Sequence, residues 1–134
     1  MPLQSASIQS GATWSSTGGS ALSLAPDGRI VTDGVRLIVT ADTNLLTRRS
    51  VVAKSVLPVA APKAGVVSRL GKNQMVYFIP FVAGDGLTYN QSIQIIMNLH
   101  HEYTEANRRT AKTDAGALLL DSDFDDFWVK SLLT

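Results

Sequence analysis

From residue 5 to about residue 82 the chain is punctuated by Gly, Asp, Asn and Pro at hairpin spacing, with short β-prone runs between them. This spacing constrains the fold more than anything else in the chain. Runs of about four to eight residues bounded by turn formers close antiparallel hairpins and leave no length for the crossover helices of a parallel sheet. The clearest run is Val35 to Ala41, where Val35, Leu37, Val39 and Ala41 share one face and Arg36, Ile38 and Thr40 the other. A period of two is what a half-buried strand needs. Leu45 to Val56 repeats it, with Arg48, Ser50, Val52 and Lys54 together on a face that is largely polar and basic.

The neighbouring segments extend the same pattern. Ser5 to Gln9, with Thr13 and Trp14, runs into Gly18 and Gly19, which suit a turn needing positive φ. An N-terminal hairpin is expected there. Ala21 to Leu24 resumes the sheet, Pro26, Asp27 and Gly28 turn it, Arg29 to Thr32 forms a short strand, and Asp33 with Gly34 turns again. Pro58 and Pro62 interrupt, Val66 to Leu70 is a further strand, and Gly71 to Asn73 turn into the β-prone Gln74 to Val82.

Past Gly84, Asp85 and Gly86 the apolar spacing reads as helical. Asn90 to Asn107 contains no Gly or Pro, Thr88 or Asn90 can cap its start, and Arg108 and Arg109 stand where cations favour a helix C-terminus. On a helix, Ile93, Ile95, Ile96, Met97, Leu99, Tyr103 and Ala106 span an arc of roughly 200°, about twice the stripe a surface helix needs. Thr110 to Gly116 reads as a polar linker. Asp121 or Ser122 then caps a last helix carrying Phe124, Phe127, Trp128 and Leu132. The expected fold class is α+β: an antiparallel β-meander of an N-terminal hairpin plus about five strands, followed by two C-terminal helices. Residues 1–134 are expected as a single domain, with the hairpin and sheet in 1–82 and the helices in 88–134.

Composition removes most chemical functions. With 45% hydrophobic residues the chain can bury a core, and with no cysteine it has no disulfide framework, thiol nucleophile or common zinc-finger site. No apolar run approaches the roughly 20 residues of a membrane helix, so no membrane partner is expected. Met1 to Ser10 shows no secretory pattern, and cytoplasmic synthesis is expected. No nucleophile elbow, phosphate-cradling loop or Ser, His and Asp set is present, so an enzyme is not expected. Asp121, Asp123 and Asp125 resemble the start of a calcium loop, but Asp126 stands where Gly is required and Leu132 where the bidentate Glu belongs. His100 and His101, with Glu105 four residues after His101, make a weak metal site: His100 falls in the middle of the apolar arc and reads as an interface or core histidine, while His101 lies near the polar edge. No metal and no cofactor are expected.

Charge is informative only by position. Net charge is +1, but residues 29–72 carry eight bases against two acids, and residues 85–134 carry four bases against eight acids. Arg36, Arg48 and Lys54, with Thr40 and Ser50 between them, can present donors to phosphates from a solvent-facing sheet.

An N-terminal hairpin, a meander with one basic face and two helices in about 130 residues without cysteine resembles the coat proteins of single-stranded RNA bacteriophages, the leviviruses. The local likeness runs from Val35 to Tyr103, through Arg48, Lys54 and Pro58, the strand ending Phe78, Ile79, Pro80, Phe81, and the turn through Asn90. The resemblance implies an intertwined homodimer in which two sheets join edge to edge and each helix lies across the partner's sheet. It assigns Ile93, Ile96, Met97, Leu99, His100 and Tyr103 to the dimer interface. It further implies a quasi-equivalent icosahedral (T=3) shell assembled in the bacterial cytoplasm, enclosing the single-stranded RNA genome.

In such proteins the inner sheet also grips an RNA hairpin and represses translation. The positions that match here are Arg36, Thr40, Arg48, Ser50, Lys54, Lys72 and Gln74, the same parity that the alternation gives. Val52, Val76 and Phe78 depart from the pattern by sharing that face, and no adenine-pocket residues are identified. The alternative reading is a small cytoplasmic homodimeric RNA-binding or regulatory protein that forms no shell.

Overall fold

The computed structural model describes residues 21–60 and 69–131. The expected N-terminal hairpin, and Val66 to Ser68 of an expected strand, lie outside the described residues. Two compact units divide the chain, one of Gly19–Glu102 and one that includes Tyr103–Thr134.

The first unit is a five-stranded antiparallel sheet in which spatial order follows chain order: β1 (Leu24–Pro26), β2 (Gly34–Val39), β3 (Ser50–Val56), β4 (Gly71–Val82) and β5 (Thr88–Leu99). Register follows the alternation. Arg36 stands opposite Val52, Val52 opposite Val76 and Val76 opposite Gln94, a single row across four strands. Leu37, Val51, Tyr77 and Ile93 form the adjacent row on the other face. One face is therefore mixed and polar. The other is nearly all apolar, and Val39 and Leu99, at 2% and 1% exposure, are its most enclosed side chains.

The turns show why particular residues stand where they do. Asp33 takes the left-handed conformation (φ 56°), and Gly34, expected to share that turn, is instead the first residue of β2. Its missing side chain matters for a different reason, since a Cβ there would collide with the carbonyl oxygen of Ala53 and the stem of Lys54. Pro80 stands beyond Phe78, the last β4 residue paired with β3, on a stretch bordered by β5 alone. A missing amide is tolerated there. The β4–β5 hairpin is closed by Asp85, whose carboxylate accepts the Leu87 amide (2.9 Å) and the Tyr89 hydroxyl (2.7 Å). Both bonds hold its pKa below the usual carboxylate value.

Further expectations are corrected: Gly71 to Asn73 open β4 instead of turning, and the strand expected from Leu45 begins only at Ser50. Asn90 to Asn107 is not a helix: Thr88–Leu99 is a twelve-residue strand, so the sheet extends well past residue 82. Thr88, Asn90, Ser92, Gln94 and Asn98 share one face with Ile96, while Tyr89, Ile93, Ile95, Met97 and Leu99 share the other with Gln91. The run Ile95, Ile96, Met97 fits either period, and the paired edge of β4, together with three β-branched isoleucines, decides for the strand. Next, the supposed linker Thr110 to Gly116 lies inside α1 (Glu105–Leu120), a run of good helix formers whose N-cap, Thr104, accepts the Asn107 amide (3.3 Å). Finally, Arg29 to Thr32 is not a strand; only Val31 bridges, to Gly34.

The total of two helices stands. After α1, Asp121 caps a short 3₁₀ turn, Ser122–Phe124, by accepting the Asp123 amide (2.8 Å), and α2 follows over Asp125–Lys130. Ser131, in the left-handed region, ends it.

Candidate nucleic-acid interface

The polar face of the sheet gathers most of the residues expected to meet RNA. Arg36, Ser50, Lys54, Lys72 and Gln74 all belong to it, in register across β2, β3 and β4: Lys54 opposite Gln74, and Lys72 opposite Val56. Thr40 lies just past the end of β2, and its hydroxyl donates to the Ser23 carbonyl (3.2 Å). Arg48 precedes β3 and its Nε donates to the Asp42 carbonyl (2.8 Å), closing the β2–β3 connection.

Ion pairing grades these cations. Arg36 Nε lies 3.1 Å from the Asp27 carboxylate, which also stands 3.8 Å from Arg29. Arg49 is held by Asp42 on the opposite parity. Lys54 and Lys72 make no ion pair among the described residues. On the strands of this face the positive charge without a carboxylate partner therefore resides in the two lysines, whose ammonium groups are point charges suited to phosphate oxygens. Arg48, just before β3, also keeps its charge, its bond being to a neutral carbonyl.

Beside Lys54 the sheet face is hollowed. Val31, Arg36, Val52, Lys54, Gln74, Val76 and Phe78 line a cavity of about 320 Å³. The valines and Phe78, which depart from the expected basic pattern, supply its apolar lining, and Arg36, Lys54 and Gln74 supply its polar groups. Arg36 Nε is enclosed and lacks a hydrogen bond of good geometry. Such a site can take a flat apolar ring while offering donors to an attached anion.

Sequence reasoning missed the fourth strand of this face. Asn90, Ser92, Gln94 and Asn98 on β5 continue it beyond β4, opposite Pro80, Phe78, Val76 and Lys72. Their even spacing was the available signal. Amides and hydroxyls carry both donors and acceptors without charge, which suits them to base edges more than to phosphates.

The expected interface residues fall differently. Ile93, Ile96 and Met97 lie on β5, the edge strand of the sheet, and Ile93, Ile95 and Ile96 are 49%, 41% and 45% exposed. Leu99 is corrected to a core residue, enclosed by its own chain. His100 and Tyr103 follow the strand on an exposed turn, not a helix.

No family model matches the chain, and no curated protein does. Among solved structures it is similar to the virus-like particle of bacteriophage GQ-907, at 33% sequence identity and a TM-score of 0.86, over 98% of this chain and 99% of that one.

Proposed function

This chain belongs to the coat proteins of RNA bacteriophages, a capsid-forming structural family, and from that premise we propose how it builds its particle. Two copies join along β5 to make one continuous sheet, dimers close into an icosahedral shell, and the polar face turns inward to the single-stranded genome. The role is structural and involves no catalysis. Assembly takes place in the bacterial cytoplasm.

The observation that carries this reading is the asymmetry of the sheet together with its β5 edge, which no other strand pairs with among the described residues. β5 is twelve residues long, ends the sheet on one side, and exposes isoleucines on both faces. A long apolar edge of that kind is an aggregation hazard unless something pairs with it. A second copy related by a twofold axis supplies an identical edge, and antiparallel pairing satisfies both sets of backbone groups at once. On the polar face, Lys54 and Lys72 supply phosphate contacts, while Asn90, Ser92, Gln94 and Asn98 run up to the proposed junction.

A second activity, recognition of an RNA hairpin as a translational repressor, is favoured by the cavity. Its apolar lining under Arg36, Lys54 and Gln74 matches an unstacked base with its phosphate. Electron microscopy of the purified protein tests the main reading: shells containing host RNA are expected, and discrete dimers at high concentration would instead indicate the regulatory alternative.

A further inference from the structure

Replacing the expected helix by β5 moves the two histidines onto a turn and changes their acidic neighbour. On a helix His101 would have faced Glu105. In the structure Glu105 pairs with Arg109 on α1 (2.9 Å), and Glu102 takes its place beside the histidines. The Glu102 carboxylate lies 3.9 Å from His100 Nδ1 through one oxygen and 3.9 Å from His101 Nε2 through the other. The imidazole rings stand 4.2 Å apart. All three donor atoms lie within 4.8 Å of one another.

We propose that this turn is a binding site for a borderline divalent cation such as zinc, with His100, His101 and Glu102 as its three protein ligands. Two imidazoles and one carboxylate are the donor set that zinc, nickel and copper prefer over magnesium or calcium. Tetrahedral zinc with bonds of about 2.0–2.1 Å separates its ligand atoms by roughly 3.4 Å, so the three donors need only draw together by about an ångström. At present the Glu102 amide donates to His100 Nδ1 (3.2 Å), and metal binding exchanges that bond for a coordinate one. The turn is exposed, so water completes the coordination and the ion exchanges freely. The whole site belongs to the sheet unit, which ends at Glu102.

Zinc uptake by the purified protein, stripped with chelator and titrated calorimetrically with zinc chloride, tests this. One zinc per chain is expected. His101→Ala and Glu102→Gln should each weaken binding by about tenfold or more, while Glu105→Gln leaves it unchanged. Cobalt added to the unaltered protein should give the visible absorption of a tetrahedral nitrogen and oxygen site, a readout that needs no variant. Undiminished zinc binding in a His100→Ala/His101→Ala double variant, or the absence of both zinc uptake and cobalt bands in the unaltered protein, would overturn the assignment.

Discussion

Asp42 receives the guanidinium of Arg49 side-on, with Arg49 Nε at 2.8 Å and Nη2 at 2.9 Å from its two oxygens, and also accepts the Arg49 backbone amide at 3.0 Å. These bonds tie the end of β2 to the start of β3 and remove Arg49 from the set of cations available to RNA. They also lower the Asp42 pKa from 3.8 to about 2, the side-chain bond from Arg49 being the largest cause. Arg49 is correspondingly raised by the same carboxylate and by Tyr77.

A depressed acid pKa adds stability that is fully present above the unfolded value and lost as pH falls toward the folded one. The contribution of Asp42 should therefore be intact above about pH 4 and disappear between pH 4 and pH 2. Asp42→Asn should melt below the unaltered protein at pH 7, and the two melting temperatures should converge as pH approaches 2. Parallel curves across that window would mean that the pair does not govern acid stability.

Gly34 and Gly84 make a matched pair of backbone tests. Alanine at Gly34 meets the Ala53 carbonyl, and overpacking of this kind typically costs about 1–3 kcal/mol. A methyl group added at Gly84 would have nothing within 4 Å, and alanine there should be neutral or stabilise by up to about 1 kcal/mol. Chemical denaturation of both variants gives the comparison, and equal midpoints would show that β2 can shift away from β3 without cost.

Lys54→Ala and Lys72→Ala should each weaken RNA binding across all sequences. Each should also lower the slope of log affinity against log salt by about 0.7, the value for one phosphate contact on a single strand. Arg36→Ala, whose cation is shared with Asp27, should change the slope less and lower affinity for a hairpin with an unpaired purine more. Filter binding at several salt concentrations reads both quantities, and an unchanged slope in the lysine variants would place the RNA elsewhere.

Ile95→Asp puts a charge on the exposed apolar edge without disturbing a buried side chain of its own chain. Pairing of two β5 strands would desolvate that charge, and association should weaken by about 100-fold or more, equivalent to roughly 3 kcal/mol. Analytical ultracentrifugation should find folded monomers. Dimers persisting at the concentration of the unaltered protein would move the interface away from β5.

Local alternation was enough to read β2 and β3 and the faces they present, because a slip by one residue would expose the whole apolar row. β4 was legible as a β-prone run, but its register came only with the pairing to β3. Arg36, Ser50 and Lys54 were placed on one face by their parity, whereas Lys72 and Gln74 joined them only through the resemblance to phage coat proteins. The last helix was legible from the spacing of Phe124, Phe127 and Trp128, although Asp121 caps the 3₁₀ turn before it and α2 itself has no side-chain cap. Thr88 to Leu99 misled because isoleucines at 93, 95 and 96 satisfy both periods, and α1 because polar helix formers resemble a linker when their apolar stripe is thin.

The amino-acid order thus dictated a meander with one basic face, since short-range sterics and side-chain parity act within a few residues. Whether Thr88 to Leu99 coils or extends depends on the free hydrogen-bonding edge of β4, which comes into being only once the preceding strands have paired. The same event makes β5 the edge strand among the described residues, hollows the polar face around Val76 and Phe78, and brings Glu102 to the two histidines. Each of these is a contact between segments distant in sequence or a change of local period, so folding in three dimensions had to decide it.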